Sequence, residues 1–277
     1  MLNILTVDFE EWYHPEYVRD KCPKNKEDCA AQDLRETLGL FEKHGKEATF
    51  FVVGEIAQKN PSLIEQIRRE GHEIGFHGFD HEPLLKKDAE TLKSEIARFR
   101  ALVGDACVGY RAPSFSLNNK TNWALNVLEA NGFNYDSSIF PASTPLYGVR
   151  NAPVRPYKPS SEDVSVEDEE NTLWEFPLHV YSTPLLRVPM AGGFYLRFFP
   201  PRLIKKSIKQ ANEAGRTAVL FIHTWELNPQ MPKLRLGLYK SFVTYHNLEK
   251  AASRLEHLFS QFEFTSIRNY MKEKGLM

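Results

Sequence analysis

Short, almost wholly apolar stretches alternate with longer amphipathic ones along this 277-residue chain. The stretches Asn3–Asp8, Ala48–Val53 and Ala218–Ile222 have the composition of strands that are buried on both faces. Asp33–His44 and Ala89–Val103 instead carry apolar residues at helical spacing, and each is followed by a glycine. Strands that alternate with helices pair in parallel, because each helix carries the chain back to the start of the next strand. The sequence therefore predicts an α/β fold.

The remaining predicted elements extend this pattern. Further strands are predicted at Glu73–Phe76, near Tyr135, at Leu173–Phe176 and at Glu263–Ser266. Further helices are predicted at Pro61–Glu70, Thr121–Ala130, Pro201–Ala214 and Leu248–Phe259. About seven parallel strands favour a closed or nearly closed (β/α) barrel, which we expect residues 1–277 to form as a single domain. The segment Asn151–Asn171 is rich in proline, serine and acidic residues and is predicted to be a solvated loop.

Composition bears on the partners and the cellular compartment that can be expected for this protein. Lys and Arg number 35 against 36 Asp and Glu, and the resulting net charge of −1 gives no overall field that attracts nucleic acid or anionic lipid. No stretch reaches the roughly 18 consecutive apolar residues of a membrane span, and the apolar N-terminus lacks the basic residues of a signal peptide. Cys22, Cys29 and Cys107 cannot all pair, which favours a reducing compartment. We therefore expect a cytoplasmic protein with neither a nucleic-acid partner nor a membrane span, and the sequence leaves its oligomeric state open.

Four polar clusters stand after predicted strands or between predicted elements, where parallel folds build their sites. The clusters are Asp8-Phe9-Glu10-Glu11, His77-Gly78-Phe79-Asp80-His81, Arg111-Ala112-Pro113 and His223-Thr224-Trp225-Glu226. Because the carboxyl ends of parallel strands meet at one edge of a sheet, we expect these polar side chains to lie close together.

The second cluster has the spacing of a metal site. His77 and His81 converge if the chain turns helically between them, and one carboxylate would complete a site of two histidines and one acid. Asp8 and Glu10 share one face of an extended strand, whereas Glu11 faces the other way, so one of the first two could bind the cation while the other serves as a base. Alternation selects Glu10 as the third ligand, and a local bulge would select Glu11 instead.

Structural roles would also account for the same residues. The two histidines could be satisfied polar groups, and the acids after the first strand could cap a helix. His223 could cap a buried strand, and Arg111 could form an ordinary surface ion pair. The sequence by itself leaves these alternatives open.

Taken together, the clusters resemble the polysaccharide deacetylase family, carbohydrate esterase family four. The resemblance rests on the acids after the first strand, His77-x3-His81, Arg111-x-Pro113, Trp174-Glu175-Phe176-Pro177 and the apolar strand that ends in His223. The stretches Ala191–Arg197 and His223-x-Trp225-Glu226 resemble a bacterial subgroup linked to exopolysaccharide gene clusters. The chain departs from the usual motifs at Glu10-Glu11, at Gly78 and at Ser114-Phe115.

The resemblance implies a distorted (β/α) barrel and a metal-dependent hydrolase that removes N-acetyl groups from a saccharide. One divalent ion, Zn²⁺ in our prediction, would be held by Glu10, His77 and His81. Asp8 would act as the base, His223 as the acid that protonates the leaving amine, and Arg111 as the partner of Asp8. The residues predicted to contact the saccharide are Pro113, Phe115, Trp174, Tyr195 and Trp225.

Two other functions stay open at this point. Some relatives in this superfamily hydrolyse the C–N bond of a small cyclic amide or imide on the same scaffold. A barrel that binds saccharide without turning it over is the other alternative, although the intact set of Asp8, the two histidines, Arg111 and His223 argues against it.

Overall fold

The computed structural model describes residues 1–144, 147–183 and 185–277. The strands are β1 (Leu2–Phe9), β2 (Thr49–Val52), β3 (Glu73–Phe76), β4 (Gly109–Tyr110), β5 (Tyr135–Asp136), β6 (Trp174–Glu175), β7 (Val180–Ser182), β8 (Arg187–Pro189), β9 (Val219–His223) and β10 (Glu263–Thr265). The helices are α1 (Glu16–Arg19), α2 (Ala30–His44), α3 (Gly54–Lys59), α4 (Pro61–Arg69), α5 (Ala89–Val103), α6 (Trp123–Ala130), α7 (Phe194–Phe198), α8 (Pro201–Glu213), α9 (Leu238–Tyr245), α10 (Ala251–Phe259) and α11 (Ile267–Lys274). Within these ranges, no helix is long and apolar enough to cross a membrane.

One curled parallel sheet organises the fold. Seven strands follow one another in the order β9-β1-β2-β3-β4-β5-β6, and β10 pairs with the first residues of β1. All of these pairings are parallel. The predicted α/β fold with about seven parallel strands in a distorted barrel is therefore confirmed.

The segment after β6 joins the two ends of the curled sheet. The main-chain N–H of His179 donates to the carbonyl of Val219 (3.0 Å), and that of Phe221 donates to Ala191 (2.8 Å). Between these contacts β7 and β8 form an antiparallel hairpin, which the sequence patterns did not predict. Gly192 lies so close to β9 that a Cβ atom would stand 1.7 Å from the carbonyl oxygen of Phe221, and its φ of +145° also requires glycine.

Alternation along β1 decides which side chains reach the barrel interior. Leu5, Val7 and Phe9 belong to the core between the sheet and the surrounding helices. Ile4 belongs to a second core cluster inside the barrel, and Asp8 is two alternations further along on the same face. The strand thus delivers a carboxylate to the interior at its carboxyl end, while its other face holds the helical layer.

Candidate active site

A cavity of about 480 Å³ opens at the carboxyl ends of the central strands. Asp8 ends the inward-facing row of β1, His77 follows β3, and His223 ends β9. The register pairs Asp8 directly with His223 across neighbouring strands. Glu10 and His81 also line this cavity, so the structure brings together residues from the first, second and last of the predicted clusters.

Glu10, His77 and His81 form a compact buried cluster. One potential ligand atom from each lies within 4.8 Å of the other two, and His81 Nε2 is 2.5 Å from Glu10 Oε2. Among the described residues, that Glu10 oxygen is one of the few buried polar side-chain atoms without a hydrogen-bond partner. The other oxygen, Oε1, accepts a hydrogen bond from the indole N–H of Trp225 (3.0 Å). A buried carboxylate oxygen held in place and facing two imidazoles fits a divalent cation.

The protonation states also fit a cation. Burial raises the pKa of Glu10, but His81 and the other nearby imidazoles outweigh burial, and the net pKa lies below its ordinary value. Burial, assisted by His81, lowers the pKa of His77 to about 4. His77 Nδ1–H donates to the carbonyl of Arg111 (2.8 Å), which leaves Nε2 free to act as a ligand. Neutral imidazoles and an ionised carboxylate are the forms that bind metal.

Glu11 is turned away from this cluster. Its two carboxylate oxygens accept hydrogen bonds from the backbone N–H groups of Cys29 (2.9 Å) and Ala30 (3.0 Å) at the start of α2. Burial raises the pKa of Glu11 to about 7, against the opposing effect of those two donors. The side chains of Glu10 and Glu11 therefore point to opposite sides, as predicted for an extended chain beyond β1. Glu11 caps a helix, which was the alternative interpretation of the acids after the first strand.

Arg111 holds the Asp8 carboxylate in position by a buried hydrogen bond. The guanidinium of Arg111 is fully buried and donates to Asp8 Oδ1 (2.7 Å). Its remaining donors bind Thr6 Oγ1 and the backbone and side-chain oxygens of Ser137, at 2.7 to 2.8 Å. Asp8 Oδ2 is left facing two imidazoles, with Nε2 of His77 and of His223 each 4.0 Å away. Arg111 is thus a buried positioning group and not a surface ion pair.

His223 is held by two residues to which the sequence analysis gave no role. Its Nδ1 lies 3.0 Å from Glu226 Oε2, and the other Glu226 oxygen accepts from Arg197 Nε (2.8 Å). Burial lowers the pKa of His223, but Glu226 outweighs burial and raises it to about 9. The protonated ring therefore directs Nε2 towards the cavity. The i, i+3 spacing of His223 and Glu226 could have indicated this pair. Arg197 is 29 residues from Glu226 in the sequence, so no local pattern could have indicated that contact.

A tight turn holds the second histidine. Gly78 has a φ of +71°, and a Cβ atom there would stand 2.8 Å from Cγ of Pro113. His81 itself adopts a φ of 56°, which is uncommon for a residue with a side chain and recurs at functional sites. Arg19 donates to the carbonyls of Asp80 (2.7 Å) and His81 (3.2 Å) and stabilises this conformation. The departure from the family pattern at Gly78 thus has a steric cause.

The predicted saccharide contacts separate into two groups. Phe115 and Tyr195 line the cavity, together with Tyr147, which the sequence analysis missed and whose hydroxyl is 3.0 Å from that of Tyr195. Trp225 is at the cavity wall but is buried, with its ring stacked on His223 at 4.8 Å.

The structure does not bring Pro113 and Trp174 to the cavity surface. Pro113 is buried against the turn of Gly78. Trp174 lies in the two-residue strand β6, with its ring beside Lys158 of the irregular segment. Both were predicted to contact saccharide; neither lines this cavity, and their contact with saccharide stays a prediction.

Two parts of the chain are similar in sequence to known families. Residues 21–135 match the family model for polysaccharide deacetylase, and residues 137–272 match a domain of unknown function, DUF3473. A peptidoglycan deacetylase of Helicobacter pylori is 32% identical over 61% of this chain and 56% of its own length. The match to the family model assigns residues 21–135 to the polysaccharide deacetylase family. A further relative, the peptidoglycan-N-acetylglucosamine deacetylase of Bacillus cereus, is 32% identical over 37% of this chain and 42% of its own length, so the chain spans about half the length of these curated relatives.

Solved structures of the family share the fold. A polysaccharide deacetylase homologue from Mycobacterium smegmatis has a TM-score of 0.57 at 20% identity, over 98% of this chain and 90% of that one. A CE4 family pseudoenzyme from Bacillus anthracis has a TM-score of 0.50 at 11% identity, over 97% of this chain and 64% of that one. These likenesses concern the fold alone. Asp8 and Glu10 precede the part of the chain that matches the deacetylase model, so their roles depend on the geometry of the cavity.

Proposed function

We propose that this protein is a metal-dependent hydrolase that removes N-acetyl groups from an N-acetylated saccharide of exopolysaccharide or cell-wall origin. The observation that carries the proposal is the convergence of the Glu10, His77 and His81 cluster with Asp8 and His223 in one cavity. The names of the curated relatives support an N-acetylated saccharide as the substrate. The resemblance of Ala191–Arg197 to the exopolysaccharide subgroup supports an exopolysaccharide as the source of that saccharide. A cytoplasmic location is part of the proposal and rests on the three cysteines.

Glu10, His77 and His81 would hold the cation. The mixture of two imidazoles and a carboxylate suits Zn²⁺ and leaves room for further ligands. When bound, a divalent ion at this cluster supplies Lewis-acid polarisation of the amide carbonyl and makes water more acidic.

Asp8 is the proposed base. Arg111 neutralises and orients one carboxylate oxygen, so that the other remains available to accept a proton from an attacking water in the cavity. The hydrogen bonds from Arg111 to Thr6 and Ser137 hold the guanidinium, and with it the Asp8 carboxylate, in one position. The base is therefore fixed at the side of the cavity that His223 also reaches.

His223 is the proposed acid. An amine anion cannot leave at neutral pH, and the nitrogen of the scissile amide must therefore receive a proton as the C–N bond breaks. Glu226 keeps His223 protonated, and the Nδ1 contact leaves the Nε2 proton directed into the cavity. Phe115, Tyr147 and Tyr195 supply aromatic wall on which sugar rings can pack.

The test combines elemental analysis with acetate release from a panel of N-acetylated glycans. The purified protein is expected to contain about one divalent ion per chain and to release acetate. His77→Ala/His81→Ala should lose both the ion and the activity. Asp8→Asn should keep the ion and lose about 10²–10⁴-fold in rate, as expected for removal of a general base.

Other outcomes would overturn the proposal. Stoichiometric metal in the double-histidine variant would remove the proposed metal site. Tight glycan binding without acetate release would indicate a non-catalytic barrel. Hydrolysis of cyclic imides in place of glycans would indicate the other C–N hydrolase class.

A further inference from the structure

Large apolar side chains are exposed beside the mouth of the cavity. Leu238 is 95% exposed and Tyr239 67%, while Phe242 and Phe198 are 43% and 45% exposed. We refer to these four residues as the rim patch. Soluble domains rarely leave a contiguous group of this kind uncovered unless it contacts another surface.

Ring contacts make the patch continuous with the cavity. Phe198 and Phe242 lie 6.1 Å apart between ring centroids, and Phe194 packs on both at 5.2 and 5.7 Å. Phe194 lines the cavity, as do Lys240 and Val243 of α9. The rim patch is therefore one side of the entrance and not a remote surface.

Arg197 fixes α9 to the catalytic network. Its Nη2 donates to the carbonyl of Val243 (2.9 Å) and its Nη1 to that of His246 (2.6 Å). The same guanidinium donates through Nε to Glu226, the partner of His223. A surface that binds α9 would therefore lie at a defined position relative to His223, the proposed acid.

The two chain segments that carry the rim patch are basic, whereas Glu16 and Asp20 of another segment line the same cavity. No acidic residue occurs between Glu226 and Glu249, a stretch that contains the exposed residues Lys233, Arg235 and Lys240. The stretch between Glu175 and Glu213, which contains Phe198, is also free of acidic residues and includes the exposed Arg202 and Lys206. The chain as a whole carries a net charge of −1, so these two segments differ in charge from the rest of the chain.

We propose that the rim patch docks on a bilayer surface that contains anionic lipid, and that the saccharide is presented to the cavity on a lipid anchor. Exposed aliphatic and aromatic side chains with flanking lysine and arginine are the composition of interfacial helices. Leu238, the most exposed member, has no ring to stack on a sugar, which favours lipid over a polysaccharide chain. The second part of this inference rests on the proposed deacetylase function, whereas the docking itself does not.

Vesicle flotation tests the docking. The 277-residue chain is mixed with phosphatidylcholine vesicles, with or without one quarter phosphatidylglycerol, at low and high salt. We expect flotation with the anionic vesicles only and a decrease at high salt. Leu238→Ser/Tyr239→Ser and, separately, Lys233→Glu/Arg235→Glu should each weaken partitioning about tenfold or more.

Leu102→Ser is the matched control, because Leu102 is an exposed apolar residue at the C-terminal end of α5, outside the rim patch. It should float like the wild type. Equal flotation of the Leu238→Ser/Tyr239→Ser variant and the wild type would overturn the docking, as would no flotation of either. A dimer in the wild type that the variant loses would assign the patch to a second copy. Loss of affinity for soluble chito-oligosaccharide in the variant would assign the patch to saccharide.

Two substrates separate the docking from the proposed function. On soluble N-acetylated oligosaccharide, wild type and Leu238→Ser/Tyr239→Ser should release acetate at equal rates. On the same oligosaccharide attached to a lipid anchor in anionic vesicles, the variant should be about tenfold or more slower. Equal rates on both would overturn the lipid-linked substrate, and absence of acetate from both with normal flotation would overturn the deacetylase function while leaving the docking intact.

Discussion

Glu10 and Glu11 are neighbours in the chain and have opposite surroundings. Glu10 faces two imidazoles inside the barrel, and Glu11 accepts two backbone N–H groups at the start of α2. A charge-removing substitution of equal size at each position therefore separates metal binding from helix capping.

We predict that Glu10→Gln loses most of its metal affinity while Glu11→Gln retains it. Glu11→Gln should instead lower the free energy of unfolding by about 1 kcal/mol, since an amide caps the two donors less well than a carboxylate. Metal titration and urea unfolding of both variants give the measurement. Weakened metal binding in Glu11→Gln alone would reverse the assignment.

Glu226 governs the protonation of His223. Burial alone would lower the pKa of His223, and the Glu226 carboxylate raises it to about 9. An acid must be protonated to act, so kcat/KM should fall as the pH rises through the pKa of His223. In Glu226→Gln this alkaline limb should move to lower pH by about one unit or more.

Glu226→Asp should restore part of the shift, and the metal content should not change in either variant. A purely structural role for Glu226 would lower the rate at all pH values without moving the limb. That result would contradict the assignment.

Two elements are joined by a buried carboxyl pair. Asp136 of β5 and Glu175 of β6 are direct neighbours in the sheet, both fully buried. Ser138 Oγ donates to Asp136 Oδ1 (2.5 Å), and Ile139 N–H donates to Glu175 Oε1 (3.0 Å). Burial, followed by the charge of Asp136, raises the pKa of Glu175 well above its ordinary value. Glu175 therefore keeps its proton beside the Asp136 carboxyl, and the contacts of the two residues with Ser138 and Ile139 fix the loop that supports Arg111.

This pair predicts a pH dependence of stability. Above the ordinary pKa of 4.5 the unfolded chain releases the Glu175 proton and the folded chain retains it, so stability falls as pH rises until the folded group also ionises. The contribution is about 1.4 kcal/mol per pH unit. Glu175→Gln keeps a donor and should remove this slope between pH 5.5 and 8, measured by urea unfolding. The exposed Glu170→Gln serves as control, and parallel curves for Glu175→Gln and wild type would contradict proton retention by Glu175.

Helices that bury a periodic apolar face were predictable, and those that expose theirs were not. The prediction for Ala89–Val103 matches α5, and that for Pro201–Ala214 differs from α8 by one residue. The short helix α9 was missed because its apolar residues face outwards. The hairpin of β7 and β8 was missed because strands of three residues carry no detectable period.

Some features of the candidate site could also be predicted from the sequence, and others could not. Asp8, His77 and His223 lie at or directly after the carboxyl ends of strands, and sheet geometry brings them together. Trp174 begins the two-residue strand β6 and does not line the cavity, which the sequence pattern could not show. The pairing of Arg197 with Glu226 depends on tertiary contacts that no local pattern records.

Cation binding should stabilise the entire fold, because Glu10 and the two histidines come from separate segments of the chain that meet only in the native state. At a free Zn²⁺ concentration one hundred times the Kd, the gain is about 2.7 kcal/mol. Thermal melts with Zn²⁺ and with a chelator should differ accordingly in the wild type. His77→Ala/His81→Ala should melt at one temperature in both, and a Zn²⁺-dependent shift in that variant would indicate a different binding site.

The position of β1 in the sheet sets the order of events during synthesis. β1 is made first, yet its neighbours include β9 and β10 from the other end of the chain. Glu10 receives its hydrogen bond from Trp225, 215 residues later. Contacts of such long range slow folding, because the loop must close before the pairing stabilises it. A nascent chain from which β9 has not yet emerged would carry Asp8 and both cluster histidines but not His223, the proposed acid, so hydrolytic competence should arise only after β9 has been made.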